Sequence, residues 1–491
     1  MPMLKRWNVL LLMLLMMLCA GLPALAQTSR SGTVYSPEAL QQDLRFLREE
    51  IDRIHPDPGL FVSRETLRKA YAAVEAQLQQ GMDQDQAWRV FATLNPVFAD
   101  GHLFVVYPDW QALTRAHLAG GGALFPYEVQ VGAGGDITIR TELGKDAPSA
   151  LTGTRIEQIN GVPAARIVRE LLARTGGDTA ALRANVLSRR MWFAYWKMFG
   201  APEEFDLVLA KPTGLVHLKL AASKALPTSV TADGTNQADG FGKTFRFELL
   251  PDGAALLTIN HFLWPDKQAF YAFTRDAFSK IRAAKVKTLI IDVRDNPGGD
   301  DDMWKTGVLP YIADKPFRNG SSYVKKVIAG RASGSEKVGD VVHGFGDTWV
   351  EPDLGNPLRF SGRTYVLVGR MTYSTAVLFS NVVQDFGFGR LVGAGGYART
   401  RQTGGVVPDI LLPNTGLQIT IPRFVLDRPS GEREPALVQP DIVLPDSPLD
   451  RRAIVEDLLA HDRALRGHAA NSQLLLCNSD QFMHGVRRAH P

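Results

Sequence analysis

The chain has 491 residues, 45% of them hydrophobic and 22% charged, with a formal net charge of +4. That length supports more than one hydrophobic core. The near balance of charge gives no reason to invoke a nucleic acid or an anionic membrane as partner, and two cysteines, Cys19 and Cys477, make no disulfide framework.

Met1 to Ala26 starts with Lys5 and Arg6, runs apolar from Val9 to Ala20, and ends in Ala24-Leu25-Ala26 before Gln27. This pattern reads as a secretory signal peptide with a small-x-small cleavage site. The apolar run is too short for a retained anchor. The expected location is therefore periplasmic or secreted, with no stable membrane insertion after cleavage. Cleavage also removes Cys19 and leaves Cys477 without an internal partner.

Residues 27–115 read as an N-terminal helical unit. Ser36-Pro37-Glu38 supplies an N-cap with proline at the first helical position. Leu40, Leu44, Leu47, Ile51 and Ile54 then share one face, and Leu67, Tyr71, Val74 and Leu78 follow Ser63 in the same way. A third helix is expected over Asp85 to Leu94, followed by Asp100-Gly101-His102 and a strand-like run from Leu103 to Tyr107. His102 and His55, the latter in Ile54-His55-Pro56-Asp57-Pro58, are the two histidines placed at element ends. The two prolines make a structural turn the better reading for His55.

Residues 116–226 carry Ile156-Glu157-Gln158-Ile159-Asn160-Gly161, a strand entering a tight turn, and then a helix from Ala164 to Leu172. Thr179 to Phe199, with Trp192, Phe193, Tyr195 and Trp196, reads as a helical insertion whose aromatics pack. Ser223 to Gly242 is rich in Ser, Thr, Gly and Asp and reads as a linker or exposed loop.

Two strand–turn–helix units follow within residues 227–446. Val286 to Val293 is a largely apolar run suited to a strand covered on both faces, and it ends in Arg294-Asp295-Asn296-Pro297-Gly298-Gly299. Adjacent glycines let a backbone N–H approach a ligand without a side chain in the way. Asp300-Asp301-Asp302 is read as the acidic start of the next helix rather than as a cation site. Tyr365 to Val368 is the second strand, and Ser374 sits where the next helix begins. A hydroxyl there is either a helix cap or a nucleophile beside free N–H groups and a positive dipole end. Residues 447–491 are expected to form a C-terminal helix, from Arg451 to Arg463, and a polar tail. HExxH, paired CxxC and GxxxxGK[ST] motifs are missing from the sequence.

Strand–Arg-Asp-Asn-Pro-Gly-Gly followed by strand–Ser–helix resembles the serine peptidases that include the C-terminal processing proteases and the tricorn core protease. The resemblance covers roughly residues 36 to 446 and implies an α/β fold with a ClpP/crotonase-like catalytic domain. It also identifies residues 116–226 as similar to a PDZ domain, a module that binds peptides by strand addition. The implied activity is hydrolysis of peptide bonds with Ser374 as nucleophile and no cofactor. The implied oxyanion donors are the N–H groups of Thr375 and of Gly298 or Gly299.

One branch of that family uses a lysine downstream of the serine. Here the last lysine is Lys337, and Gly396-Tyr397-Ala398-Arg399 stands at the corresponding place. Arginine stays protonated and cannot act as base. The sequence therefore resembles the histidine-using, tricorn-like branch, with His102 as base. Leu412-Pro413-Asn414-Thr415-Gly416-Leu417 is similar to a segment of that branch. The supporting carboxylate is implied at Glu434, with Glu432 as the alternative, and the family's serine next to the histidine is Gly101 here. The partner expected is a peptide or protein substrate. The rival readings are a silent binder of peptides or apolar ligands on the same fold, and a crotonase-like enzyme acting on thioesters.

Overall fold

The computed structural model describes residues 32–230, 237–346, 348–434 and 436–465. The leader expected at 1–26, the centre of the expected linker, and the tail from 466 onward with Cys477 lie outside the described residues.

Six strands build the sheet that carries the site: β1 (Phe245–Leu250), β2 (Ala254–Ile259), β3 (Thr288–Asp292), β4 (Arg363–Leu367), β5 (Arg390–Gly393) and β6 (Ile442–Val443). They lie in the order β6-β5-β4-β3-β2-β1. Strands β2 to β6 pair in parallel, and β1 runs antiparallel beside β2. Every residue of β2 and β3 is buried, which is why their sequences are mostly apolar rather than alternating.

The two faces of that sheet meet different partners. Leu257, Leu289, Ile291 and Val366 face a core with Phe270 and Phe278 of helix α1 (Lys267–Ala283). Leu256, Ile290, Tyr365 and Leu367 face the opposite way, against Ile454, Val455 and Leu458 of the helix formed by residues 453–465. Successive side chains on a strand point to opposite faces, so the split follows from the pleat. Asp462 of that C-terminal helix is fully buried and accepts hydrogen bonds from Thr288 Oγ1 (2.9 Å), Tyr365 Oη (2.9 Å) and Arg363 Nε (2.6 Å).

Helices α2 (Asp301–Gly307) and α3 (Thr375–Asp385) start just beyond the carboxyl ends of the adjacent strands β3 and β4. In open parallel sheets this edge is where ligands bind. A buried ion network holds it. Arg294 is 1% exposed, donates to both carboxylate oxygens of Asp292 (2.9 and 2.8 Å) and to Asp446 (2.7 Å), and leads directly into the glycine turn. Replacing Arg294 with methionine would leave two buried carboxylates short of their main cation. The expected loss is about 3–5 kcal/mol, read as a fall in the urea midpoint with the m-value unchanged.

A second sheet brings the histidine to the first. Phe104–Val106, immediately after His102, pairs antiparallel with Gln418–Leu426, which also pairs with Gln402–Leu411 and Ser322–Lys326. The helices Pro37–Ile54, Arg64–Glu75 and Gln84–Phe91 pack on this sheet. Asp43 ties the first of them to the Asn414-Thr415 turn, accepting from the Thr415 N–H (2.9 Å) and hydroxyl (2.7 Å). A third, small sheet combines Tyr127–Val131, Ile137–Glu142, Arg155–Ile159, Glu204–Lys211 and Gly214–Ala221, with the helices Ala164–Leu172, Ala180–Ser188 and Met191–Phe199 beside it. One continuous core runs from the N-terminal helices into this module and on to Ile419 and Ile421. No helix among the described residues is long and apolar enough to cross a membrane.

Candidate active site

Ser374 stands at the N-terminus of α3 with φ 52° and ψ −127°, and its side chain makes no capping hydrogen bond. The helix-cap reading is therefore not what its hydroxyl does. A positive φ on a non-glycine residue costs roughly 1–3 kcal/mol and persists only where the surroundings impose it. Here they do: Tyr373 N–H donates to Asn296 O (3.0 Å), Met371 N–H to Arg294 O (2.8 Å), and Thr372 Oγ1 to Val293 O (2.7 Å). The serine turn is thus locked to the glycine turn. Thr375 Oγ1 adds a further link, donating to Asp301 Oδ1 (2.7 Å) and lying 3.1 Å from Gly299 O.

Both glycines have positive φ, 110° at Gly298 and 137° at Gly299. A Cβ at Gly298 would lie 2.6 Å from Ser374 Cβ, and one at Gly299 would lie 2.1 Å from Phe262 O, so neither position accepts a side chain. The two differ as donors. Gly298 N–H is taken by Asn296 Oδ1 (2.9 Å), and Gly298 is buried. Gly299 is exposed and lines the same cavity as Ser374. Among the described residues, the N–H groups of Gly299 and Thr375 have no hydrogen-bond partner. Of the alternatives Gly298 and Gly299, the second is the available one.

His102 lines that cavity with Ser374, and no hydrogen bond joins the two among the described residues. The polar groups behind the ring fix its tautomer. Thr403 Oγ1 lies 3.1 Å from His102 Nδ1 and donates its own proton to Asp100 Oδ1 (2.8 Å). Tyr373 Oη lies 3.5 Å from Nδ1 and donates to Asp178 Oδ1 (2.8 Å). Both oxygens therefore present lone pairs to Nδ1, which must carry the proton, and Nε2 keeps its lone pair. Burial pushes the His102 pKa below its usual value, against the opposing charges of Asp100 and Asp178.

Two buried carboxylates organise the surroundings. Asp100 also accepts from His102 N–H (2.8 Å), and His55 Nε2 lies 3.8 Å from its other oxygen. Burial raises the Asp100 pKa, but the neighbouring imidazoles of His55 and His102 and the His102 N–H outweigh it and leave the carboxyl below its usual range. Asp178 accepts from Gly101 N–H (3.0 Å) and Arg399 N–H (3.0 Å) as well as from Tyr373, so it joins the histidine loop to the serine loop. Burial and the nearby charge of Asp100 push the Asp178 pKa up. Gly101 is required where it stands, because a Cβ there would lie 2.6 Å from the Tyr373 ring and hydroxyl.

His55 is buried behind Asp100, accepts from Asp57 N–H at Nδ1 (3.1 Å), and is outside the cavity lining. Glu434 and Glu432 are both exposed on the loop after Gly431, and neither lines the cavity. Glu432 instead accepts from Arg433 N–H (2.8 Å) and Glu434 N–H (2.9 Å). The structure thus brings Ser374, His102, Gly299 and Thr375 together and leaves Glu434 apart. Asp178, Thr403 and Tyr373 were missed. No spacing signal ties Thr403 to His102 across 301 positions, or Tyr373 to Asp178 across 195. Asp300 caps α2 by accepting from Asp302 N–H (2.9 Å), and it pairs with Lys267 (2.5 Å).

The model of peptidase family S41 matches residues 253–444, which span β2 to β6 and include both turns. The protein is a serine-type peptidase. No curated protein matches the chain. Among solved structures, it is similar to mature CPAF complexed with lactacystin, at 16% identity and a TM-score of 0.61, over 89% of this chain and 100% of that one. It is also similar to mature CPAF, at 16% identity and a TM-score of 0.58, over 85% and 95%. At these identities the likeness extends to the fold. The S41 match begins after the N-terminal helices and the small module, so His102 and Asp178 reach the S41 site from outside the matched segment.

Proposed function

We propose that this S41 member is an exported endopeptidase of the histidine-using, tricorn-like kind. Ser374 is the nucleophile, His102 the base, and the N–H groups of Gly299 and Thr375 the oxyanion donors. The observation that carries this reading is the strained, uncapped Ser374 sharing a cavity with a histidine whose Nδ1 is engaged and whose Nε2 has no hydrogen bond among the described residues. Ser374 Oγ attacks the peptide carbonyl carbon while its proton passes to His102 Nε2. The carbonyl oxygen gains negative charge and is held by the Thr375 N–H at the start of α3 and the Gly299 N–H of the glycine turn before α2. His102 then returns the proton to the leaving amine, and a water molecule, deprotonated by the same nitrogen, hydrolyses the acyl-enzyme.

In this reading the group that steadies the imidazolium is Asp100, acting through Thr403, in place of Glu434. Thr403→Val keeps the shape and removes the relay hydroxyl. The expected result is a fall in kcat of up to about tenfold, the worth of one hydrogen bond of about 0.5–1.5 kcal/mol, with KM little changed. Glu434→Gln should alter kcat by less than about twofold, as for a surface substitution. A larger loss in Glu434→Gln than in Thr403→Val would return the supporting role to the glutamate. The whole reading is tested by incubating the purified mature chain with an unfolded protein substrate. Internal cleavage blocked by a fluorophosphonate supports it, whereas binding without cleavage would favour a silent binder on this fold. Export is tested by finding the mature N-terminus at Gln27 in protein recovered from outside the cytoplasm.

A further inference from the structure

The chain is held differently on the two sides of His102. After it, Phe104–Val106 pairs with Gln418–Leu426, and Thr420 Oγ1 donates to His102 O (3.0 Å). Before it, Ala99-Asp100-Gly101 lies between the helix Asn95–Phe98 and that strand and belongs to neither. Ala99 takes φ 50° and ψ 36°, in the left-handed region. A Cβ disfavours this conformation, so it persists only where neighbours impose it.

Arg399 is the neighbour that grips this turn. Its Nη1 donates to Ala99 O (2.5 Å), and its guanidinium carbon lies 4.1 Å from the centre of the Phe61 ring. A planar guanidinium suits both contacts, since it stacks on a ring while donating within its own plane. Asp178 holds the other end of the turn through Gly101 N–H (3.0 Å), and its Oδ1 is 3.8 Å from Arg399 Nη1. The Arg399 backbone is fixed in turn. Its N–H donates to Asp178 Oδ2 (3.0 Å), and it bridges to Leu437, with Val438 N–H donating to Ala398 O (2.9 Å) and Thr400 N–H to Ala436 O (3.2 Å). Thr400 O accepts from Asn381 Nδ2 of α3 (2.9 Å). A continuous path therefore runs from the helix that begins at Ser374 to the carbonyl three residues before His102. Arg399 is outside the cavity lining, so it reaches a substrate only through that turn.

We propose that Arg399 is a positioning residue, whose guanidinium holds the His102 turn in catalytic register with the serine turn. The inference rests on the peptidase reading and deepens it. Without the guanidinium, Ala99 relaxes out of the left-handed region and the histidine is set off its line to Ser374. A shift of about 1 Å in a catalytic group costs up to about a hundredfold in rate.

The test uses the full mature chain, a dye-quenched unfolded protein as substrate, and the rate of fluorophosphonate labelling of Ser374 followed by intact mass. Arg399→Ala is expected to lower kcat roughly ten- to a hundredfold with KM within about twofold of the parent. Arg399→Lys keeps the charge and a donor but not the planar stack on Phe61, so its kcat should fall between the two. The decisive reading is a double-mutant cycle on the labelling rate. If Arg399 works through His102, adding Arg399→Ala to His102→Ala changes that rate by less than about twofold. Additive losses, a kcat in Arg399→Ala within about twofold of the parent, or a loss confined to KM overturns the proposal. Should Arg399→Ala not fold, as judged by circular dichroism, Arg399→Lys runs the same cycle. A loss of at least about threefold that vanishes in the His102→Ala background then supports the proposal, and no loss or an additive one overturns it. Failure of the peptidase reading shows separately, as a parent chain that is neither active nor labelled on Ser374.

Discussion

Ser374→Ala is expected to abolish peptide hydrolysis and fluorophosphonate labelling while leaving the melting curve close to that of the parent. Among the described residues the hydroxyl makes no hydrogen bond, so its loss removes chemistry and almost no packing. Ser374→Gly adds a sharper expectation. At φ 52° glycine relieves strain of roughly 1–3 kcal/mol and costs about 0.5–1 kcal/mol in chain entropy. The glycine variant should therefore be inactive and more stable than the parent by about 1 kcal/mol, measured by urea unfolding. Full activity in the alanine variant would remove Ser374 from the mechanism, and a clear destabilisation by glycine would show that the positive φ is not strained.

His102→Ala is expected to lower kcat/KM by at least about a hundredfold, the usual size of general-base catalysis. His55→Ala should cost far less, because His55 reaches the site only through Asp100. The pH profile has a definite sign. His102 must be neutral to accept the proton, and burial depresses its pKa. Activity should rise with pH through an apparent pKa below the usual 6.5 and then level off. The same shift affects stability. The unfolded chain binds a proton more readily than the folded one, so this contribution is fully present above about pH 6.5 and is lost as pH falls through the lower folded pKa. Activity that rises only above pH 7.5 would mean that another group is the base.

The parts legible in the sequence were those written in local pattern. The largely apolar run of β3 and the Pro-Gly-Gly turn after it reflect burial on both faces and a backbone that leaves no room for a Cβ. Ser374 at a strand–helix junction was legible for the same reason. The support of the histidine was not. Asp100 was in view as part of Asp-Gly-His, yet its role depends on Thr403, which reaches it only because Phe104–Val106 and Gln402–Leu411 both pair with Gln418–Leu426. Asp178 sits in a stretch without motif character and acquires its role from three distant donors. Glu434 was carried over from the family resemblance, and its side chain is exposed. The helix of residues 453–465 was legible as a helix, but its place over the back of the catalytic sheet follows from the buried Asp462 and its bonds to β3 and β4.

The central claim is that Ser374 is a nucleophile activated by His102. It is tested most directly by treating the mature chain with a fluorophosphonate across a pH series and mapping the adduct by peptide mass spectrometry. The account predicts one adduct, on Ser374, forming at a rate that rises with pH through a pKa below 6.5 and that falls at least about a hundredfold in His102→Ala. An adduct on another residue, or labelling of Ser374 at the same rate in His102→Ala, would contradict it.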